Sequence, residues 1–217
     1  VATLMKDFDV SVSDQRSLFL KETTTRLENT EMTFDVLKRA RTSEIRTGLI
    51  LVLRSPFEAY LSQVEASHDM WKRSEPIKIS DASFSSWARS SLASFEVIAR
   101  RAGAHRCRVV SYQNFCLDPE NELARLMALF PLRLEQAQLK LAVSKPQGGD
   151  PKAYQKTQVD ASDREAEVAQ LMNDLKDSSL VRQMQKIHRL AKTSEFADAD
   201  VFDELARITI LERPQWA

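Results

Sequence analysis

Glycine is scarce in this 217-residue chain, which contains only four glycines. No segment matches GxxxxGK[ST], GxGxxG or GxSxG, the motifs that cradle phosphates or raise a nucleophilic serine above a strand. The sequence therefore gives no support for ATPases with a Walker A loop, for dinucleotide enzymes or for serine hydrolases.

Cysteine and histidine are also scarce, with two cysteines and three histidines. Cys107 and Cys116 have neither metal-site spacing nor the density of a disulfide framework, so we expect buried, reduced thiols. No His, Cys and Asp cluster has zinc-ligand spacing, so no metal is expected. We expect His105 and His188 to be surface or capping residues.

The chain has no net charge, because 31 basic residues balance 31 acidic ones. A general nucleic-acid binder would be basic overall, so nucleic acid is not an expected partner. No apolar run approaches the roughly 18–20 residues of a membrane span, and no signal peptide is visible. We therefore expect a cytoplasmic protein with one domain and a sizeable core, since 43% of the residues are apolar.

The most informative segment begins with the apolar run LILVL (49–53). Such a run predicts a strand buried on both faces of a parallel sheet. Ser55 and Pro56 then predict the N-cap and the first residue of a helix. Arg54 would lie at the end of the strand, with Ser62 about two turns into the helix. Ligands of open α/β sheets bind at that edge, and a guanidinium with a hydroxyl there suits a phosphate monoester.

Strands and helices alternate along the rest of the chain, which predicts a parallel α/β sheet. The predicted elements are a strand over 17–20, a helix over 32–41, a loop or lid over 71–80, a long helix over 81–101 with Gly103 as its C′ residue, a strand over 108–111, a helix capped by Asp118 and begun by Pro119, a helix from Ser162 and Asp163 towards Leu175, and two amphipathic helical pieces over 180–192 and 201–211.

The segment RSPFEAYLS (54–62) fits the pattern strand-Arg-x-Pro-x-x-x-x-x-Ser. This pattern resembles the 3′-phosphate-binding motif of sulfotransferases that use 3′-phosphoadenosine 5′-phosphosulfate (PAPS). The resemblance implies that Arg54 and Ser62 hold the 3′-phosphate of this co-substrate. The alternative is an arginine that caps a strand end and a serine exposed on a helix.

Two further segments follow in the order of that family, and together the three cover roughly residues 15 to 170. Residues 107–130 resemble its "strand, Tyr-Glu-Asp-Leu, Asp-Pro-Glu, helix, Phe-Leu" segment, with Gln113 and Asn114 in place of the usual acidic pair. From the residues alone, the apolar stripe in the helix of this segment is core.

The segment QGGDPKAY (147–154) resembles the Gly-rich, basic loop that closes over the nucleotide in bacterial sulfotransferases. Adjacent glycines permit positive φ and a close backbone approach to a phosphate. The resemblance implies that Gly148, Gly149 and Lys152 bind the co-substrate, with Lys145 on the other side of the glycines. An ordinary polar turn is the alternative.

The family's 5′-phosphosulfate loop, a Gly- and Ser/Thr-rich turn after the first strand, has no counterpart upstream of Gly48. We expect the strand, loop and helix that carry it to precede Val1; the alternative is that the protein has lost the loop. By resemblance, the strand ending at Leu20 places Lys21 and Glu22 at the chemical centre. Lys21 would neutralise charge on the leaving phosphate, and Glu22 would be the base. The alternative is a solvated charge pair at the end of the strand, which is favoured more strongly for Glu22 than for Lys21.

The resemblance implies a P-loop-like three-layer α/β fold, with a parallel sheet flanked by helices. We expect one domain over 1–217 with a helical tail over 179–217. The expected function is transfer of a sulfuryl group from PAPS, with no metal, to a hydroxyl or amine of a small-molecule or carbohydrate acceptor. His68 is a candidate for lining the acceptor pocket.

Two alternatives to this function stay open. One is a non-catalytic relative with the same fold that binds a nucleotide or a protein partner. The other is a helical interaction module built on the tail, through which the chain could also form a homo-oligomer. The sequence does not identify the acceptor, because the loops that form acceptor pockets vary and a fold does not fix a function.

Overall fold

The computed structural model describes residues 27–43, 45, 47–69, 75–127, 164–176, 178–193 and 198–211. The elements in these ranges are α1 (Leu27–Thr42), β1 (Gly48–Leu53), α2 (Pro56–Asp69), α3 (Asp81–Ala102), β2 (Arg106–Ser111), α4 (Tyr112–Leu117), α5 (Pro119–Met127), α6 (Glu165–Asp174), α7 (Ser178–Lys192), α8 (Asp198–Ala206) and a π-helical segment (Arg207–Leu211). The described part of the chain is mostly helical around two strands, so the fold is α/β in the broad sense. The strand predicted over 17–20 lies outside these ranges.

The two strands pair in parallel, with Gly48 opposite Arg106 and Leu53 opposite Ser111. Both strands therefore end at the same edge of the sheet. The prediction that β1 is buried on both faces is wrong at Val52, whose exposed fraction is 56%. Leu53 and the other buried residue of β1 point to the opposite face, because side chains alternate along a strand. An apolar run does not reveal whether a neighbouring layer covers both of its faces.

The helix starts predicted at Ser55-Pro56 and at Asp118-Pro119 are confirmed by their caps. The side chain of Ser55 accepts a hydrogen bond from the backbone N of Glu58 at 3.3 Å, and α2 begins at Pro56. Asp118 caps α5 in the same way through the backbone N of Asn121, at 3.2 Å.

The end of α3 agrees with the sequence in position but not in conformation. The helix ends at Ala102, directly before Gly103. However, Gly103 has φ −58° and ψ −18°, whereas a glycine at C′ usually adopts a left-handed conformation. Gly103 therefore follows the helix as predicted, but its backbone conformation is one that any residue can adopt.

Aromatic residues of α2 and α3 form the centre of the core. The rings of Phe57 and Phe84 stack with centroids 5.8 Å apart, and Tyr60 packs edge-on against Phe84 at 5.2 Å. The Tyr60 hydroxyl lies 2.6 Å from the Ser83 Oγ, so this buried phenol is hydrogen-bonded. Helices α7 and α8 contribute buried residues to the same apolar cluster. None of the helices in the described ranges is long and apolar enough to cross a membrane.

Candidate functional site

Arg54 and Ser62 meet at the edge where both strands end. Arg54 is the first residue after β1, and its Nη2 donates a hydrogen bond to the Ser62 Oγ at 3.1 Å. Ser62 lies on α2, which begins directly after Ser55 and turns back past the strand end. The strand, the Ser-Pro helix start and the two helical turns together bring the guanidinium to the hydroxyl.

The Arg54 guanidinium is held by two further groups. Its central carbon lies 4.6 Å from the ring centroid of Tyr112, the first residue after β2, in a cation–π contact. Its Nε lies 3.8 Å from a carboxylate oxygen of Glu58. The same Nε is buried and has no hydrogen-bond partner among the described residues. The guanidinium is therefore fixed in position and has N–H capacity to spare.

Arg164 is a second guanidinium in this site, and sequence reasoning missed it. Its Nη1 donates to the same Ser62 Oγ at 3.3 Å, and its Nη2 pairs with the Glu65 carboxylate. Its side chain is only 12% exposed. A single arginine before a helix has no recognisable sequence signal. Only the fold shows that residues 102 positions apart converge on one hydroxyl.

A Ser–His pair adjoins the two arginines. The Nδ1 of His188 lies 2.7 Å from the Oγ of Ser55, which is buried. The His188 ring is half-buried and packs edge-on against Phe57, with centroids 5.8 Å apart. Burial lowers the pKa of His188, and the charge of Lys192 lowers it further, although Glu165 acts in the opposite direction. The expectation of a surface or capping histidine is therefore wrong for His188.

Helix α7 is attached to the ends of both strands. Besides the contact of its His188 with Ser55, the Oγ of Ser111 at the end of β2 donates to the Ala191 carbonyl at 2.8 Å.

Burial raises the pKa of the nearby Cys116 thiol above its ordinary value. Cys116 is therefore protonated at neutral pH and is not set up as a nucleophile.

The structure brings together two of the seven residues that the sequence assigns to the site, Arg54 and Ser62. The other five, Lys21, Glu22, Gly148, Gly149 and Lys152, lie outside the described ranges, so their positions and roles stay predictions. His68 is exposed, and its Nε2 lies 3.3 Å from the Ile77 carbonyl oxygen.

Within the described ranges, His, Cys, Asp and Glu side chains do not form a group of three or more that could hold a metal ion. Comparison of the chain with protein-family models, with curated proteins and with solved structures finds no match.

Proposed function

We propose that this chain belongs to a PAPS-dependent sulfotransferase, which moves a sulfuryl group to a hydroxyl or amine of a small-molecule or carbohydrate acceptor. The observation that carries the proposal is the convergence of Arg54 and Arg164 on the Ser62 hydroxyl, where two parallel strands end. Ligands of α/β sheets bind at this edge. The three-layer P-loop-like arrangement is part of the same proposal.

The chemistry of these groups suits a phosphate monoester. Each guanidinium presents five N–H donors in a planar fork, and Ser62 adds a hydroxyl between the two forks. Glu58 and Glu65 each contact one guanidinium and so restrict its orientation. The remaining N–H groups would donate to the oxygens of a 3′-phosphate. Because this phosphate does not react, the contacts position the co-substrate and do not perform the chemistry.

The reacting end of PAPS is assigned to residues outside the described ranges. Lys21 would neutralise the charge that develops on the leaving 5′-phosphate, and Glu22 would accept the proton of the acceptor. Gly148, Gly149 and Lys152 would close over the nucleotide. These roles rest on the sequence resemblance alone.

Calorimetry with adenosine 3′,5′-bisphosphate tests the 3′-phosphate site. Replacing Arg54→Ala or Arg164→Ala removes a charge-assisted contact, and we expect a loss of about 2 kcal/mol, or about 30-fold in Kd. Arg182→Ala, which removes an exposed arginine from α7, is the matched control and should leave the Kd unchanged.

Adenosine 5′-monophosphate separates the 3′-phosphate from the rest of the ligand. Since it lacks the 3′-phosphate, its binding should be nearly insensitive to Arg54→Ala and Arg164→Ala. Equal affinity of the wild type and both arginine variants for the bisphosphate would refute the site. Transfer of labelled sulfate from PAPS to a panel of hydroxyl and amine acceptors then distinguishes an enzyme from a protein that only binds the nucleotide.

A further inference from the structure

A second group of basic side chains lies at the opposite edge of the sheet from Arg54. It lines a cavity of ≈ 610 Å³ between α1, the last turn of α3 and the residues that directly precede β2. Among the described residues, four cations line this cavity, Lys38, Arg41, Arg100 and Arg101, together with one carboxylate, Asp35. Because the whole chain has no net charge, such a local concentration of cations calls for an explanation.

Contacts within the protein hold three of the cations in place. Arg41 donates through Nη1 to the Ala104 carbonyl at 2.7 Å. Arg101 contacts Asp35 at 3.5 Å, and Arg100 pairs with Glu96 at 2.6 Å. Each contact engages only part of a guanidinium that has five N–H donors. The arginines are thus oriented around the cavity with donors remaining.

The negative C-terminal ends of the helix dipoles offset part of this positive charge but not all of it. Both α1 and α3 end here, and each helix C-terminus carries about half a negative charge. Asp35 and Glu96 compensate two of the four cations. After the two helix ends are counted as well, the described part of the chain keeps a positive excess of about one unit here.

We propose that this cavity binds a single phosphate or sulfate group of a small anionic ligand, independently of the Arg54 site. The two sites are separate because a six-residue strand spans about 20 Å, so one phosphate group does not reach both.

His105 also lines the cavity, so the NMR signals of its ring should report the binding of an anion there. Its pKa is lowered, first by burial and then by the charge of Arg41. A bound anion would offset the effect of Arg41.

NMR spectroscopy of the three histidine rings tests this site. The protein carries Arg54→Ala, which weakens the other anion site, and is titrated with inorganic phosphate and, separately, with inorganic sulfate. As the anion concentration rises, we expect the His105 signals to shift until they reach a plateau, while those of exposed His68 barely move. Comparison of the two titrations shows which anion is preferred.

Two surface substitutions and a control complete the test. Lys38→Ala and Arg100→Ala remove exposed cations from the cavity, and each should weaken the anion affinity about two- to fivefold. Arg39→Ala removes an exposed cation that does not line the cavity and should have no effect. The site is refuted if the His105 signals move no more than those of His68. It is equally refuted if the two cavity variants bind as tightly as Arg39→Ala.

Discussion

At the scale of single residues, local sequence predicted the contacts that lie within one strand and the following helix. Arg54 and Ser62 are eight residues apart, so a strand followed by two helical turns is enough to bring them together. Arg164 and His188 reach the same edge from more than 100 residues away. Their positions depend on how α6 and α7 pack, which no local pattern specifies.

Gly103 provides a stability prediction at this scale. It has φ −58°, and no heavy atom beyond Gly103 and its two chain neighbours lies within 4 Å of the place where a Cβ would stand. Gly103→Ala should therefore raise the free energy of unfolding by about 0.4–1 kcal/mol, because it removes backbone freedom from the unfolded chain only. Urea denaturation measures this. The reverse change at the end of the same helix, Ala102→Gly, should lower stability, and a destabilised Gly103→Ala protein would contradict the reasoning.

His188 predicts a pH dependence of stability. Its pKa is lower in the folded protein than its ordinary value of 6.5, mainly because burial disfavours the charged ring. The unfolded chain therefore binds the proton more readily. The contribution of His188 is fully present above about pH 6.5 and is lost as the pH falls from there towards its folded pKa.

His188→Gln should flatten the slope of stability against pH in this acidic range. The pKa of His105 is shifted in the same direction, so His105→Gln should flatten the slope as well. Urea midpoints between pH 5 and 8 measure both effects. An unchanged slope in His188→Gln would show that this ring titrates as it does in the unfolded chain.

At the scale of elements, the start of a helix that is marked by a cap could be predicted from the sequence, whereas the burial of a strand face by neighbouring elements could not. Helices α2 and α5 begin where Ser-Pro and Asp-Pro place them. The exposure of Val52 depends on what packs on the far face of β1 and is a property of the tertiary structure. Five of the seven candidate site residues fall in ranges that the structure does not describe, so it shows only that Arg54 and Ser62 meet, and their role stays a prediction.

Ser55 joins two elements, and its loss should weaken both connections. Its Oγ accepts from the backbone of α2 and contacts His188 of α7. Ser55→Ala should lower the free energy of unfolding by about 1–3 kcal/mol, since a cap and a buried hydrogen bond are lost together. Ser80→Ala removes an exposed cap from α3 and should cost about 1 kcal/mol. Equal losses in the two variants would show that the contact with His188 contributes nothing.

At the scale of the whole molecule, the helical tail belongs to the main core. Leu180, Met184 and Ile187 of α7 are fully buried in the same cluster as Phe57 and Phe84. The apolar face of α7 is thus engaged within the chain, and association of two copies through the tail stays a prediction. A tail packed in this way should unfold together with α2 and α3.

Met184→Ala tests whether the molecule unfolds as one unit. The side chain is completely buried, so its truncation should lower the free energy of unfolding by about 2–5 kcal/mol. Arg182→Ala, an exposed position on the same helix, should stay within about 0.5 kcal/mol of wild type. Because α7 shares one core with α2 and α3, tryptophan fluorescence and far-UV circular dichroism should report the same shifted midpoint in urea. If the two midpoints separate, the tail unfolds on its own, and the single-domain prediction for this chain is wrong.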